Sequence, residues 1–249
     1  MAKGQRAVCI TGVAGGIGAA LGAAYRKAGW RVIGSGRQAP DPGICDVFVE
    51  ADLDRLAEND QALEEFAAEV RAGLDGAALA ALINNAAVQI LAPADKLTAQ
   101  DWRRTLNVNL TAPFRLSQVF LPELEDAGGA ILNIGSVHAQ ATKPGFTAYA
   151  TSKAALHGLT RALAVDMGKR VRVVCLAPAA ISTPMLMAGF EGREEAFKSL
   201  QACHPSERIG VPEEVADAAL FLTSPQASFV TGSTFWLDGG VLARLHDPV

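Results

Sequence analysis

Long apolar runs, a surplus of one charge and paired cysteines are all missing from this chain of 249 residues. Each absence removes a class of protein. The longest apolar stretches fall well short of the ~20 residues that a bilayer-spanning helix needs. The start, MAKGQRAVCITG, has too short an apolar run for a secretory signal. Lys and Arg number 22 against 26 Asp and Glu, a formal charge of −4 with no basic block. That balance argues against a nucleic-acid binder, and no basic amphipathic stretch offers itself to a membrane surface. Cysteines 9, 45, 175 and 203 form no CxxC pair and have no zinc-ligand spacing to histidines 138, 157, 204 and 246. HExxH and GxSxG are absent, so neither a metal enzyme nor a hydrolase is expected. Without a disulfide framework, a reducing, cytoplasmic setting fits. Cys9 and Cys175 lie in apolar runs and are expected to be buried and inert, whereas Cys45 and Cys203 lie in loops.

Half of the residues are hydrophobic. A domain of this size buries about 70–75% of its unfolded surface. Short apolar runs at 6–10, 31–34, 47–49, 79–83, 130–134, 171–176 and 234–237 read as strands. Helical patterns cover 16–28, 53–72, 101–124, 148–167 and 213–222. Strands alternating with helices imply βαβ units, hence an α/β fold around a parallel sheet. No Gly/Ser linker or repeat interrupts the chain, so 1–249 is expected to be one domain. The stretch 183–212 breaks the rhythm, with Met185, Leu186, Met187, Phe190 and Phe197 set among charges. An excursion of that length reads as a lid or binding loop.

The turn Thr11-Gly12-Val13-Ala14-Gly15-Gly16-Ile17-Gly18 joins the first strand to the first helix. Glycines let backbone approach a pyrophosphate, and the helix N-terminus supplies N–H donors and partial positive charge. In isolation, such a turn is no more than a tight bend. The second strand runs into Gly34-Ser35-Gly36-Arg37. An acid there would hold the adenosine ribose and repel a 2′-phosphate. None is present, and Arg37 can pair with a phosphate or stand solvated in its turn. The expectation is NADP, with NAD as the alternative. Asp52 either reaches the adenine edge or caps the helix after it.

Tyr149 and Lys153 are four residues apart and share a helix face. A nearby ammonium lowers a phenol's pKa from about 10. The tyrosine can then exchange a proton with a hydroxyl or carbonyl. Ser136 ends the fifth strand, and Asn84-Asn85-Ala86-Ala87 ends the fourth. Both face the crevice where open α/β sheets bind ligands. Asn109 sits in a helical pattern between Val108 and Leu110.

These residues together resemble the short-chain dehydrogenase/reductase family. The match runs through Thr11 to Gly18, Asp52, Asn84 to Ala87, Trp102, Asn109, Ser136, Tyr149, Lys153, Pro178 and Thr183. It continues through Glu214-Val215-Ala216 to Leu237-Asp238-Gly239-Gly240. The resemblance implies a doubly wound Rossmann fold with a seven-stranded parallel sheet, a nicotinamide cofactor and a homotetramer. It implies Tyr149 as general acid/base and Ser136 as hydrogen-bond partner of the substrate oxygen. Lys153 would tune Tyr149 and bind the nicotinamide ribose, and Asn109 would hold a relay water. Gly12, Gly16, Ile17, Gly18, Asn85, Ala86 and Pro178 would line the cofactor, with Thr183 at its carboxamide. Two departures add a methyl: Ala87 and Ala179 stand where the family's usual motifs carry glycine.

Gln89, His138 and Met185 are the candidate substrate contacts. Gln89 with His138 is similar to the pair that helps hold the carboxylate in 3-hydroxybutyrate dehydrogenases. Phe146, however, replaces that subgroup's lysine. An alcohol/carbonyl oxidoreductase is the expected function. A 3-hydroxy acid dehydrogenase using NAD is the alternative within the class. A non-catalytic dinucleotide sensor is the rival from outside it, and retention of the whole polar set argues against a sensor. A dehydratase or epimerase would generally need a longer C-terminal substrate region.

Overall fold

In the computed structural model of the protein, residues 4–245 are described. The elements alternate as strand β1 (Arg6–Thr11), helix α1 (Gly16–Lys27), β2 (Arg31–Gly36), β3 (Val47–Glu50), α2 (Leu53–Glu58) and α3 (Asp60–Leu74). They continue as β4 (Ala78–Asn84), α4 (Ala99–Leu106), a π-helical turn (Asn107–Thr111), α5 (Ala112–Val119), α6 (Leu121–Asp126) and β5 (Ala130–Ile134). The remainder is α7 (Thr147–Met167), β6 (Arg172–Pro178), α8 (Pro184–Ala188), α9 (Glu194–Ala202), α10 (Pro212–Thr223) and β7 (Thr234–Leu237). All seven strands are parallel, in the order β3-β2-β1-β4-β5-β6-β7. The order reverses between β1 and β4, and the C-terminal ends of strands at such a switch point form the ligand crevice.

Burial on both faces explains why the strands read as unbroken apolar runs. On one face Cys9, Leu82 and Ile131 pack against Phe66 and Val70 of α3 and Phe120 beside α6. On the other, Ile10, Ile83 and Leu132 pack against Leu21 and Tyr25 of α1 and Val215 and Leu222 of α10. Each fully buried side chain of this size contributes about 1.5–3 kcal/mol. The Tyr25 hydroxyl also meets Thr223 Oγ1 of α10 at 2.6 Å.

Three stretches depart from the sequence reading. The helix expected over 53–72 is two helices, because Asn59 is extended and its side chain accepts the Ala62 N–H at 2.8 Å, capping α3. The helix expected over 101–124 is three helices with a π-helical turn among them. Pro113 and Pro122 start α5 and α6, since a residue without an N–H fits a first turn. The excursion at 183–212 carries two helices, α8 and α9. Cys9 and Cys175 are buried, Cys45 is half-buried and Cys203 is exposed. No helix among the described residues is long and apolar enough to cross a membrane.

Candidate active site

At the end of β1, Gly12 has φ +69°, and a Cβ there would stand 2.9 Å from the Ala86 backbone. Only glycine fits that turn. Thr11 Oγ1 accepts the Asn85 and Ala86 N–H groups at 3.0 Å each, while Asn85 Nδ2 donates to the Thr11 and Gly12 carbonyls at 2.9 and 3.1 Å. The β1 and β4 termini are thus locked side by side. At the other end of the turn α1 begins with Gly16, Ile17 and Gly18. Its N-cap is Gly15, no side chain caps it, and its first turn holds no acid. Those free N–H groups suit a phosphate. A Cβ on Gly16 would press on Thr183 at 2.9 Å, so Thr183 stands directly over the glycine turn. Pro178 is buried at the end of β6.

Arg37 is exposed just beyond β2 and makes no salt bridge among the described residues. Asp52 accepts the Asp54 N–H at 3.0 Å and caps α2, the second of its two sequence readings.

Ser136 follows β5, and its hydroxyl accepts the His138 N–H at 3.2 Å. Tyr149 lies in the first turn of α7, with Lys153 one turn on. The Lys153 ammonium is buried and donates to the Ile134 carbonyl at 2.7 Å, with Nζ 5.7 Å from the centre of the Tyr149 ring. Burial lowers Lys153 to about 8. Burial also raises the Tyr149 phenol above its ordinary value, and the neighbouring Ser136 hydroxyl pulls it part of the way back. The ammonium is engaged by a backbone carbonyl, and removing the phenol from water outweighs its neighbours.

Asn109 lies in the π-helical turn and is buried. Its Oδ1 accepts the Val88 N–H at 2.8 Å, and its Nδ2 donates to the Val88 carbonyl at 2.9 Å and to Ser152 Oγ at 3.0 Å. The side chain therefore braces the segment after β4 against α7.

His138 is placed beside Tyr149. Its ring stacks on Phe146 at 4.3 Å and 2°, and both rings stand edge-on to Tyr149 at 5.7 and 6.1 Å. Burial and Lys143 lower the pKa of His138, while Thr142 Oγ1 holds its Nδ1 at 2.9 Å. Gln89 is exposed. The Met185 side chain and His246 lie outside what the structure describes.

Two features escaped the sequence reading. Asn84 Nδ2 donates to Asn133 Oδ1 at 2.8 Å, and Asn133 Nδ2 donates to Thr160 Oγ1 at 2.9 Å, a buried polar tie between β4, β5 and α7. An asparagine inside an apolar run is the signal that marked Asn133. Ser152, the second, joins Asn109 to the Tyr149 carbonyl, which its hydroxyl reaches at 2.7 Å. Among the described residues no three His, Cys, Asp or Glu side chains group to hold a metal ion.

Residues 12–242 match the family model described as "Enoyl-(Acyl carrier protein) reductase". The chain is 37% identical to Protein FixR of Bradyrhizobium diazoefficiens, over 94% of this chain and 86% of that one. It is 36% identical to D-threitol dehydrogenase of Mycolicibacterium smegmatis, over 93% and 90% of the two chains. The ligand-free aldohexose dehydrogenase of Thermoplasma acidophilum superposes with a TM-score of 0.91 at 29% identity, covering 98% of this chain and 97% of that one. Other solved neighbours carry NADP or NADH.

Proposed function

The chain belongs to the short-chain dehydrogenase/reductase family, and on that premise we propose that it moves a hydride between a nicotinamide cofactor and an alcohol/carbonyl pair. The observation that carries this reading is the convergence of the Ser136 hydroxyl and the Tyr149 phenol at the C-terminal edge of β5, with the buried Lys153 ammonium behind them.

The residues present fit the cofactor. The uncapped start of α1 offers N–H groups to a pyrophosphate, and the Gly12 turn leads the chain into it. Gly16, Ile17, Gly18, Asn85, Ala86 and Pro178 line the same crevice, with Thr183 above it. Bound there, the nicotinamide gives up or takes up the hydride. Ser136 donates a hydrogen bond to the substrate oxygen. The Tyr149 hydroxyl supplies the proton on reduction and withdraws it on oxidation. A protonated Lys153 reaches the nicotinamide ribose and stabilises the phenolate. Asn109, buried between the segment after β4 and α7, would hold a water of the proton relay.

Arg37, exposed and without a carboxylate partner, supports NADP over NAD. A second reading, a hydroxy acid with NAD, is favoured by the Lys143 ammonium, which lies 4.9 Å over the Phe146 ring beside His138. Trp102 and Phe114 on one side, and Phe229 and Trp236 on another, expose apolar surface and support a homotetramer. We place the protein in the cytoplasm as one domain.

Fluorescence titration with NADPH and NADH tests the cofactor assignment. NADPH should bind more tightly, and Arg37→Ala should weaken it about tenfold to a hundredfold, the loss of a charge-assisted phosphate contact. NADH should be little affected. Equal losses for both would overturn the phosphate role. A non-catalytic sensor would bind the cofactor yet turn over no carbonyl.

A further inference from the structure

Beneath the reacting side chains lies a second set of ionisable groups that the proposed chemistry leaves unused. His157 follows Lys153 by one turn of α7 and shares its face. It is 6% exposed, and its Nε2 has no hydrogen-bond partner among the described residues. That nitrogen is aimed at Gly135. A Cβ built there would collide with His157 Nε2 and lie 2.6 Å from the Cys175 sulfur. The imidazole from α7 and the thiol from β6 thus occupy, from two sides, the space that a side chain at 135 would need. Trp236 of β7 covers the imidazole at a ring separation of 5.3 Å.

Gly135 stands between two working groups. On one side is Ile134, whose carbonyl holds Lys153 Nζ at 2.7 Å. On the other is Ser136, the hydroxyl beside Tyr149. Whatever presses on Gly135 sets the separation of both from α7.

We propose that His157 is a positioning residue for the proposed reaction: its uncharged ring props residues 134–136 from behind, keeping the Ile134 carbonyl on Lys153 and the Ser136 hydroxyl on Tyr149. The inference rests on the oxidoreductase reading above. Neutrality is part of the role. Burial, with the cationic Lys153 and Arg161 of α7 as the charged groups acting on the ring, holds His157 at about 4. Cys175 on β6 is raised to about 11 by burial and faces the ring as a neutral thiol. A proton on His157 would set a second cation against Lys153.

Four variants test this. His157→Ala should lower kcat about tenfold to a hundredfold, the scale of an ångström-level misplacement, with the cofactor Kd unchanged. Water admitted behind Gly135 would also relieve the desolvation of Lys153, so the alkaline limb of the pH–rate profile near 8 should move up. His157→Gln should restore most of the turnover and the normal limb. Gly135→Ala should be impaired, and Gly135→Ala combined with His157→Ala should recover part of that loss. The proposal is overturned if His157→Ala keeps wild-type kcat and pH limb, or loses only thermal stability. A readout independent of turnover keeps the two readings apart. With His157 at about 4 when folded and near 6.5 when free, the unfolded chain takes the proton first, so stability should fall as pH drops from 6.5 to 4. His157→Gln should flatten that fall, and an unchanged slope would refute the neutral prop. If the wild-type protein reduces no carbonyl, the oxidoreductase reading fails, and the acid-unfolding slope still decides whether the ring is held neutral.

Discussion

Below Tyr149, polar side chains hold one another. Around 183–212 a few apolar side chains stand partly exposed among charged ones. In the first region Asn84, Asn133 and Thr160 run in series, and Asn109 ties Val88 to Ser152. In the second, Phe190 meets Phe197 edge-on at 5.6 Å, and with Met187 they border a cavity of about 580 Å³ between α8 and α9. A directional network has one good arrangement, because an unpaired buried group is costly. An apolar surface has many, since a flexible methionine can repack. On the proposed function, the floor would fix the chemistry and the rim would adapt to the substrate.

Breaking the floor at its reacting atom should cost most. Tyr149→Phe removes a proton donor, and turnover should fall about a hundredfold to ten-thousandfold while NADPH still quenches or gains fluorescence as in the wild type. Full turnover in that variant would sink the proposed chemistry. One layer out, Asn109→Ala strands the Val88 backbone groups and Ser152. A loss of about 1–3 kcal/mol in urea unfolding is expected, with a lower kcat. The smallest effect belongs to the rim. Phe197→Ala should raise KM severalfold for an apolar substrate while leaving kcat and the urea midpoint near those of the wild type. A collapse in kcat there would erase the distinction between floor and rim.

The same contrast explains what could be read from the letters alone. Parallel strands buried on both faces leave a signal in composition, and even the part-exposed β3 and β7 keep enough of it that all seven expected strands end within a residue or two of those in the structure. The glycine turn, Ser136, Tyr149 and Lys153 stand out in the sequence by residue type and spacing, and the structure brings the last three together. Asn59 was not, since one capping asparagine scarcely disturbs a helical period. The π-helical turn at Asn107–Thr111 was hidden for the same reason: apolar spacing continues through it. Proximity along a helix, in turn, does not say which atom an ammonium donates to. The Ile134 carbonyl, supplied by another strand, answered that.

The hydrogen bond between Tyr25 and Thr223 spans 198 residues of chain. Its consequence concerns the order of events during synthesis. Leu21 and Tyr25 of α1 find their cover on α10, so the first helix must wait for nearly the last before its inner face is closed. Long-range closure of this kind slows folding and leaves apolar surface open meanwhile. The dinucleotide half is thus no separable module. A ribosome that stalled before residue 212 would release a chain with its phosphate turn complete in sequence and its supporting helix bare on one side.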